Sequence, residues 1–199
     1  LAGKFEKRKN HILTIDAWVE AFGNNKKYFL SCALSNPFLT PEDHLKMKAR
    51  YKPFWNVQLN DRFPKNRDYN DYLNSIDIML CPSGGEGWGL PEFQATALGA
   101  HSVVLNCSAY KGWANEENSI LLEPNEEKIP SIDGKFFVKG GQFNQGNLFT
   151  FDKEPFVEAC NKALERYKNN KINEAGLKLQ SEFSYKNTTE KCINILKES

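Results

Sequence analysis

A short apolar run, Ile76 to Leu80, passes straight into Cys81-Pro82-Ser83-Gly84-Gly85-Glu86-Gly87-Trp88-Gly89-Leu90-Pro91, and a helix-forming stretch continues to Leu98. No other feature constrains the fold as much. A buried strand must end at a glycine-dense turn, and Pro91 suits the first turn of the helix that follows. Gly84, Gly85, Gly87 and Gly89 let backbone N–H groups approach a ligand closely. The helix start adds unpaired N–H groups and the positive end of a dipole, so the place suits an anion such as phosphate. A tight turn without a ligand is the plainer alternative. A dinucleotide fingerprint fits less well, because G-x-G-x-x-G belongs after the first strand of its unit and this loop follows the fourth.

The remaining elements give the turn its setting. Leu1 to Phe5 reads as a strand that opens with no preceding cap or turn, as a cut edge would. A basic turn over residues 6–10 leads into a helix with Ile12, Ile15, Trp18, Val19 and Phe22 on one face. Tyr28 to Leu34 is a second strand, and Thr40-Pro41-Glu42-Asp43 starts a helix that reaches about Tyr51. Trp55 to Leu59 is a third strand, and a short helix ends over Asp71 to Ser75. Gly99 stops the helix behind the glycine loop, and strands follow at Ser102 to Leu105 and Ile120 to Leu122. Residues 125–150 break the rhythm, with a hairpin expected at Asp133-Gly134. Helices fill the remainder: Phe156, Cys160, Ala163, Leu164 and Tyr167 share one face, Ile172, Ala175, Leu179 and Phe183 another, and Thr189, Cys192, Ile193 and Leu196 a third. Ordered alternation of this kind predicts a parallel sheet covered on both faces, with ligands at the carboxyl ends of its strands.

Composition removes several function classes. A net charge of +1 argues against nucleic-acid and membrane-surface binding, both of which select a basic excess. No apolar run approaches the ~18 residues of a membrane span. The five cysteines are scattered, never paired as C-x-x-C, and mostly embedded in apolar segments, so they read as reduced thiols of a cytoplasmic protein. His11, His44 and His101 share no metal spacing, and no D-x-D element occurs, so no metal or other cofactor is expected. Trp88 and Trp113 lie near loops where an indole could meet a sugar face, with packing as the favoured role.

The segment from Glu86 to Gly99, E-G-W-G-L-P-E-F-Q-A-T-A-L-G, resembles the E-G-F-G-L-P-x-x-E-A-M-A-x-G signature of family-4, GT-B-fold retaining glycosyltransferases. Asp77 to Ser83 is similar to the strand that precedes that signature, Lys4 with Arg8-Lys9-Asn10 to the G-R…R-K-G turn, and Asn118 to Pro124 to N-G-l-l-v-x-P. The matches fall in order over residues 1 to about 124. The resemblance implies that Glu86 contacts the donor sugar, that Lys9 with Lys4 or Arg8 holds the donor diphosphate, and that Gln94 stands where a second Glu binds the ribose. A neutral acceptor at that position is weaker by about 1 kcal/mol. Glu92 lies about 200° away around the helix and does not replace it directly. By position, residues 60–63 would meet the base.

The expectation is a three-layer α/β/α Rossmann-like domain with about six parallel strands, residues 1–199 forming one nucleotide-sugar-binding unit with the last helices, from about 155, at its edge. Catalytic roles fall to Glu86, Lys9 and Arg8, and substrate contacts to Lys4, Gly84, Gly85, Gly87, Trp88, Gly89, Leu90 and Gln94. A saccharide or lipid-linked acceptor would be held by an N-terminal domain outside this chain, and any membrane association of a full enzyme would not come from this chain. Two alternatives stand beside transfer: a non-catalytic nucleotide-sugar-binding module, suggested by Gln94, and a GT-B-type epimerase.

Overall fold

The computed structural model describes residues 1–127, 129–132, 137–142 and 146–198. β1 (Ala2–Lys4) runs parallel to β2 (Leu30–Ser35), with Ala2 opposite Ala33, and β2 runs parallel to β3 (Val57–Asn60). A second parallel set joins β4 (Ile78–Leu80), β5 (His101–Leu105) and β6 (Ile120–Leu122). The two sets meet through a side chain. The Cys81 thiol, just past β4, accepts from the Ala2 N–H and donates to the Ala2 carbonyl, both at 3.3 Å. The order is therefore β3-β2-β1 against β4-β5-β6, and the chain winds outward in opposite directions from the β1–β4 seam. Right-handed crossovers then put the helices after β1 and after β4 on opposite faces. Such a seam is the switch point at which open α/β sheets hold ligands.

α1 (His11–Phe22) follows β1 and packs on α5 (Lys153–Asn169), which also covers β4, β5 and β6. α2 (Pro41–Tyr51) has Pro41 in its first turn, and the Thr40 hydroxyl accepts from the Asp43 N–H at 3.2 Å, a capping arrangement legible in the sequence. α3 (Asn66–Asn74) leads into β4, and α4 (Leu90–Ala97) leads from the glycine loop into β5. α4 packs on β1, β4, β5 and α6 (Glu174–Glu182), and α7 (Tyr185–Glu198) closes the described chain.

Several elements differ from expectation for identifiable reasons. β2 starts at Leu30 rather than Tyr28 because buried Asn56 takes over the backbone before it, its amide donating to the carbonyls of Phe22, Asn25 and Tyr28 at 3.0–3.1 Å. Trp55 is exposed, and β3 begins two residues later. In α1 the inward face is His11, Thr14, Ile15, Trp18 and Phe22, so Ile12 is left outside: two polar residues take positions that apolarity alone would have given to it. Ile172 is exposed ahead of α6, while Leu179 is buried. α7 has no buried residue, so the face of Thr189, Cys192, Ile193 and Leu196 lies open. Asp133-Gly134 falls outside the described residues; on either side of that region β7 (Ile129–Pro130) pairs antiparallel with β8 (Asn147–Leu148). Among the described residues no helix is long and apolar enough to cross a membrane.

The core runs through the seam, where Met79, Val103, Leu105 and Phe156 are fully buried. Phe156 of α5 is 0% exposed and packs on Phe151 with ring centroids 5.2 Å apart. Phe156→Ala should therefore destabilise the fold by about 3–5 kcal/mol. Urea unfolding followed by circular dichroism measures this, and a loss below about 1 kcal/mol would show that α5 is dispensable to the core.

Candidate functional site

The site forms where two turns cross at the carboxyl end of the seam. After β1 the chain makes one tight turn over Lys7–Lys9 and enters α1 through Asn10, whose φ of 53° lies in the left-handed region. Asn and Gly tolerate that conformation best, which accounts for Asn at the place where the resembled turn has Gly. The Asn10 amide donates to the carbonyls of Pro82 at 3.0 Å and Phe149 at 3.1 Å, tying the basic turn to the glycine loop. Gly84 completes the junction: its N–H donates to the Arg8 carbonyl at 2.8 Å and its carbonyl accepts from the Phe149 N–H at 3.0 Å. A side chain at Gly84 would run into the Phe149 carbonyl. Close approach of three backbones thus requires this glycine.

The crossing brings the charges together. One carboxylate oxygen, Glu86 Oε1, receives Lys9 Nζ at 2.6 Å, Ser83 Oγ at 2.6 Å and Arg8 Nη1 at 2.8 Å. Arg8 also donates to the Gly85 carbonyl and to Glu6, and Glu6 pairs with Lys4 at 3.2 Å. Lys9 is only 5% exposed. On its inner side stands Glu92, 0% exposed, with Oε1 3.8 Å from Lys9 Nζ and no hydrogen-bond partner on either oxygen. Burial pulls the Lys9 pKa down, but Glu92 and then Glu86 outweigh it, and the net shift is upward. Burial raises the Glu92 carboxyl against the opposing pull of Lys9. His11 lies beside the pair, buried and stacked at 6.2 Å on Phe5, with both ring nitrogens unpartnered. Burial, then the charge of Lys9, holds it well below the ordinary histidine pKa.

Of the residues expected in the site, Arg8, Lys9 and Glu86 meet directly, and Lys4 joins them through Glu6. Gly84 is buried and Gly85 lies against the Arg8 side chain, whereas Gly87 is exposed with open space around its Cα. Gly89 has φ of 78° and lies against the Tyr110 ring. Leu90 and Gln94, one turn apart on α4, are both exposed. Trp88 turns away into an aromatic cluster with Phe93, Trp113 and Phe183, ring centroids 5.2–5.6 Å apart. Trp113 adds a bond from its indole N–H to the Trp88 carbonyl at 2.9 Å. Past β3, Asp61 pairs with Lys48 at 2.8 Å, and Phe63 packs on Tyr69 and Tyr72. Ser83 and Glu92 were not singled out by sequence. Glu92 could have been found from its spacing, since Ala95 and Thr96, three and four residues on, form the buried face of α4.

Chemically, two cations and a hydroxyl converge on one anionic oxygen at a sheet edge, beside the start of α4. Such a set can bind a phosphate oxygen as readily as a carboxylate. Among the described residues no three His, Cys, Asp or Glu side chains group as a metal site would.

No protein-family model matches the sequence, and no curated protein does. Solved structures do. The chain is similar to the C-terminal domain of a glycosyl transferase group 1 family protein, LpcC, from Francisella tularensis: TM-score 0.65, 16% identity, over 92% of this chain and 83% of that one. It is also similar to a glycosyltransferase from Rickettsia africae, with TM-score 0.68, 16% identity, and 99% and 46% covered. A third is Anabaena HepE in complex with UDP-glucose, with TM-score 0.66, 13% identity, and 100% and 48% covered. The chain thus spans most of an isolated C-terminal domain and under half of each longer protein. At these identities the likeness establishes the fold: a Rossmann-like α/β unit of the kind found as the C-terminal domain of GT-B glycosyltransferases.

The buried ring of His11 generates a pH prediction. The unfolded chain takes up a proton near the ordinary pKa of 6.5, and the folded chain only at much lower pH. Unfolding therefore consumes a proton below about 6.5, and stability must fall as pH drops from there, by up to about 1.4 kcal/mol per unit. His11→Leu should flatten this acid limb. Urea midpoints of both proteins between about pH 5 and 8 measure the difference; parallel curves would mean that the ring is protonated or solvated in the fold.

Proposed function

We propose that this chain is the nucleotide-sugar-binding half of a retaining glycosyltransferase that acts on a saccharide or lipid-linked acceptor. The observation that carries the reading is the convergence of Arg8, Lys9 and Ser83 on a single oxygen of Glu86. That oxygen occupies a position suited to an oxygen of the donor's diphosphate. On binding, the diphosphate would replace Glu86, which would then be free to turn to the hydroxyls of the sugar. As the bond from the sugar C1 to the diphosphate breaks and a bond to the acceptor oxygen forms, negative charge grows on the leaving group. Lys9, Arg8 and the loop amides would stabilise it without a metal ion.

Acceptor groups would come from outside this chain, which covers under half of the longer proteins it resembles. HepE supports the choice of ligand class, having been solved with UDP-glucose. The four buried cysteines are free thiols, which favours a cytoplasmic setting. A second reading, a binding module without catalysis, is favoured by Gln94 standing where the resembled signature has Glu. Product analysis with nucleotide sugars and an added acceptor domain separates the two.

Calorimetric titration with UDP, GDP and ADP, each with and without chelator, tests the proposal. At least one should bind in both conditions, and Lys9→Met should weaken it about 10- to 100-fold, as expected for a lost charged hydrogen bond. Failure of all three, or binding abolished by chelator, would overturn it.

Gln94 gives a separate test of the ribose assignment. Gln94→Ala should lose about 0.5–1.5 kcal/mol of nucleotide affinity, and Gln94→Glu should hold or improve it. Equal affinities for wild type and both variants would remove Gln94 from the ribose site.

A further inference from the structure

Lys9 has two carboxylates within ion-pair distance, and they differ in what holds them. Glu86 sits on the loop between Gly85 and Gly87, and its oxygen is shared among three donors. A ligand that offers those donors a better anion can displace it. Glu92 stands in the first turn of α4, 0% exposed, pressed against Gly89 and Tyr110. Any side chain added at Gly89 would lie 3.2 Å from Glu92 Oε2 and would collide with the Tyr110 ring.

We infer that Glu92 is a positioning residue: it holds the Lys9 ammonium at the glycine loop when a diphosphate takes the place of Glu86. The inference rests on the donor reading above and adds to it a residue that does not touch the ligand. An ammonium buried alone loses its proton readily, and a carboxylate buried alone gains one. Placed together, each favours the charged form of the other. Glu86 cannot serve in this way, because it must leave when the ligand arrives. Glu92, fully buried in the first turn of α4 and within ion-pair distance of Lys9, remains.

The surroundings leave few competitors. The groups facing the pair are Arg8 and His11 from the β1–α1 connection, Tyr69 from α3, Cys81 after β4, Glu86 from the loop and Tyr110 after β5. Burial keeps His11 neutral, pushes Tyr69 up to about 12, and raises Cys81 and Tyr110 beyond the physiological range. Arg8 and Glu86 are the remaining ionisable groups beside the pair.

The test uses the whole chain and whichever of UDP-, GDP- and ADP-glucose the wild type binds, since the diphosphate of a nucleotide sugar carries no proton that titrates near neutrality. In Glu92→Gln, the titration of Lys9 Nζ followed by nitrogen NMR should move down by about one unit or more. The pH at which ligand affinity begins to fall should move down with it, giving about tenfold weaker binding per unit beyond that point. Glu92→Asp should restore part of both shifts. An unmoved Lys9 titration would overturn the inference, and so would a moved titration with an unmoved binding profile. If the wild type binds no nucleotide sugar, the donor reading fails, and the Lys9 titration alone decides whether Glu92 holds the ammonium. Should Glu92→Gln not fold, melting curves read the same coupling. Lys9→Met leaves Glu92 buried without its partner and should lower the Tm, and Lys9→Met with Glu92→Gln should recover most of the loss. No recovery would overturn the pairing.

Discussion

A lysine ammonium that is 5% exposed stands at the centre of this structure. Its carbon chain lies along Gly3 of β1, its head lies 2.6 Å from a loop carboxylate, and a helix carboxylate lies 3.8 Å behind it. An isolated ion at that depth would be unstable by several kcal/mol. The pairing is possible only if β1, the glycine loop and α4 are held in register, so the charge cluster and the seam of the sheet depend on each other.

Register at the seam is set by small groups rather than by a continuous ladder. The Cys81 thiol bonds to both backbone groups of Ala2, Asn10 reaches the carbonyl of Pro82, and Gly84 accepts the close passage of residues 8 and 149. Each is a short connection across which a larger side chain would push the two halves apart. The result brings two stretches about eighty residues apart in sequence into hydrogen-bond distance, with contacts from Arg8 to Glu86 and from Asn10 to Pro82 at separations of 78 and 72.

The succession of strands and helices and the place of the loop were legible because they follow from local pattern. Short apolar runs, a capped α2 and the stop at Gly99 each report on a few neighbouring residues. The elements misplaced by sequence were those decided at long range. Asn56 holds the carbonyls of Phe22, Asn25 and Tyr28 with one side chain, and nothing near Tyr28 signals this. Ile12 was assigned inward on apolarity, whereas the space belongs to His11 and Thr14. In α7, apolar residues at helical spacing have the pattern of a buried face and remain exposed, since periodicity reports which residues share a side and not what stands opposite. The basic turn, named in the sequence for its Lys9 and Arg8, does meet the loop. Its partner on the inner side was missed because Glu92 was weighed only as a substitute for Gln94.

Those two positions show why helix phase governs such a site. Gln94 and Glu92 are about 200° apart on α4, so one must face solvent when the other faces the sheet. Ala95 and Thr96 fix the inward direction, and Glu92 shares it. A carboxylate there cannot reach a ligand in solvent, but it can reach Lys9, whose stem passes the bare Cα of Gly3 at a φ of 138°. Arginine would not serve in the same place. Its planar fork carries five donors that need acceptors, whereas a compact ammonium bonds to Glu86 at 2.6 Å and stays within ion-pair distance of Glu92 at 3.8 Å. Arg8, one residue earlier and about one third exposed, has the room for its fork and uses it on Glu6, Glu86 and the Gly85 carbonyl. The two neighbouring cations therefore divide their task by depth, lysine inside and arginine at the rim.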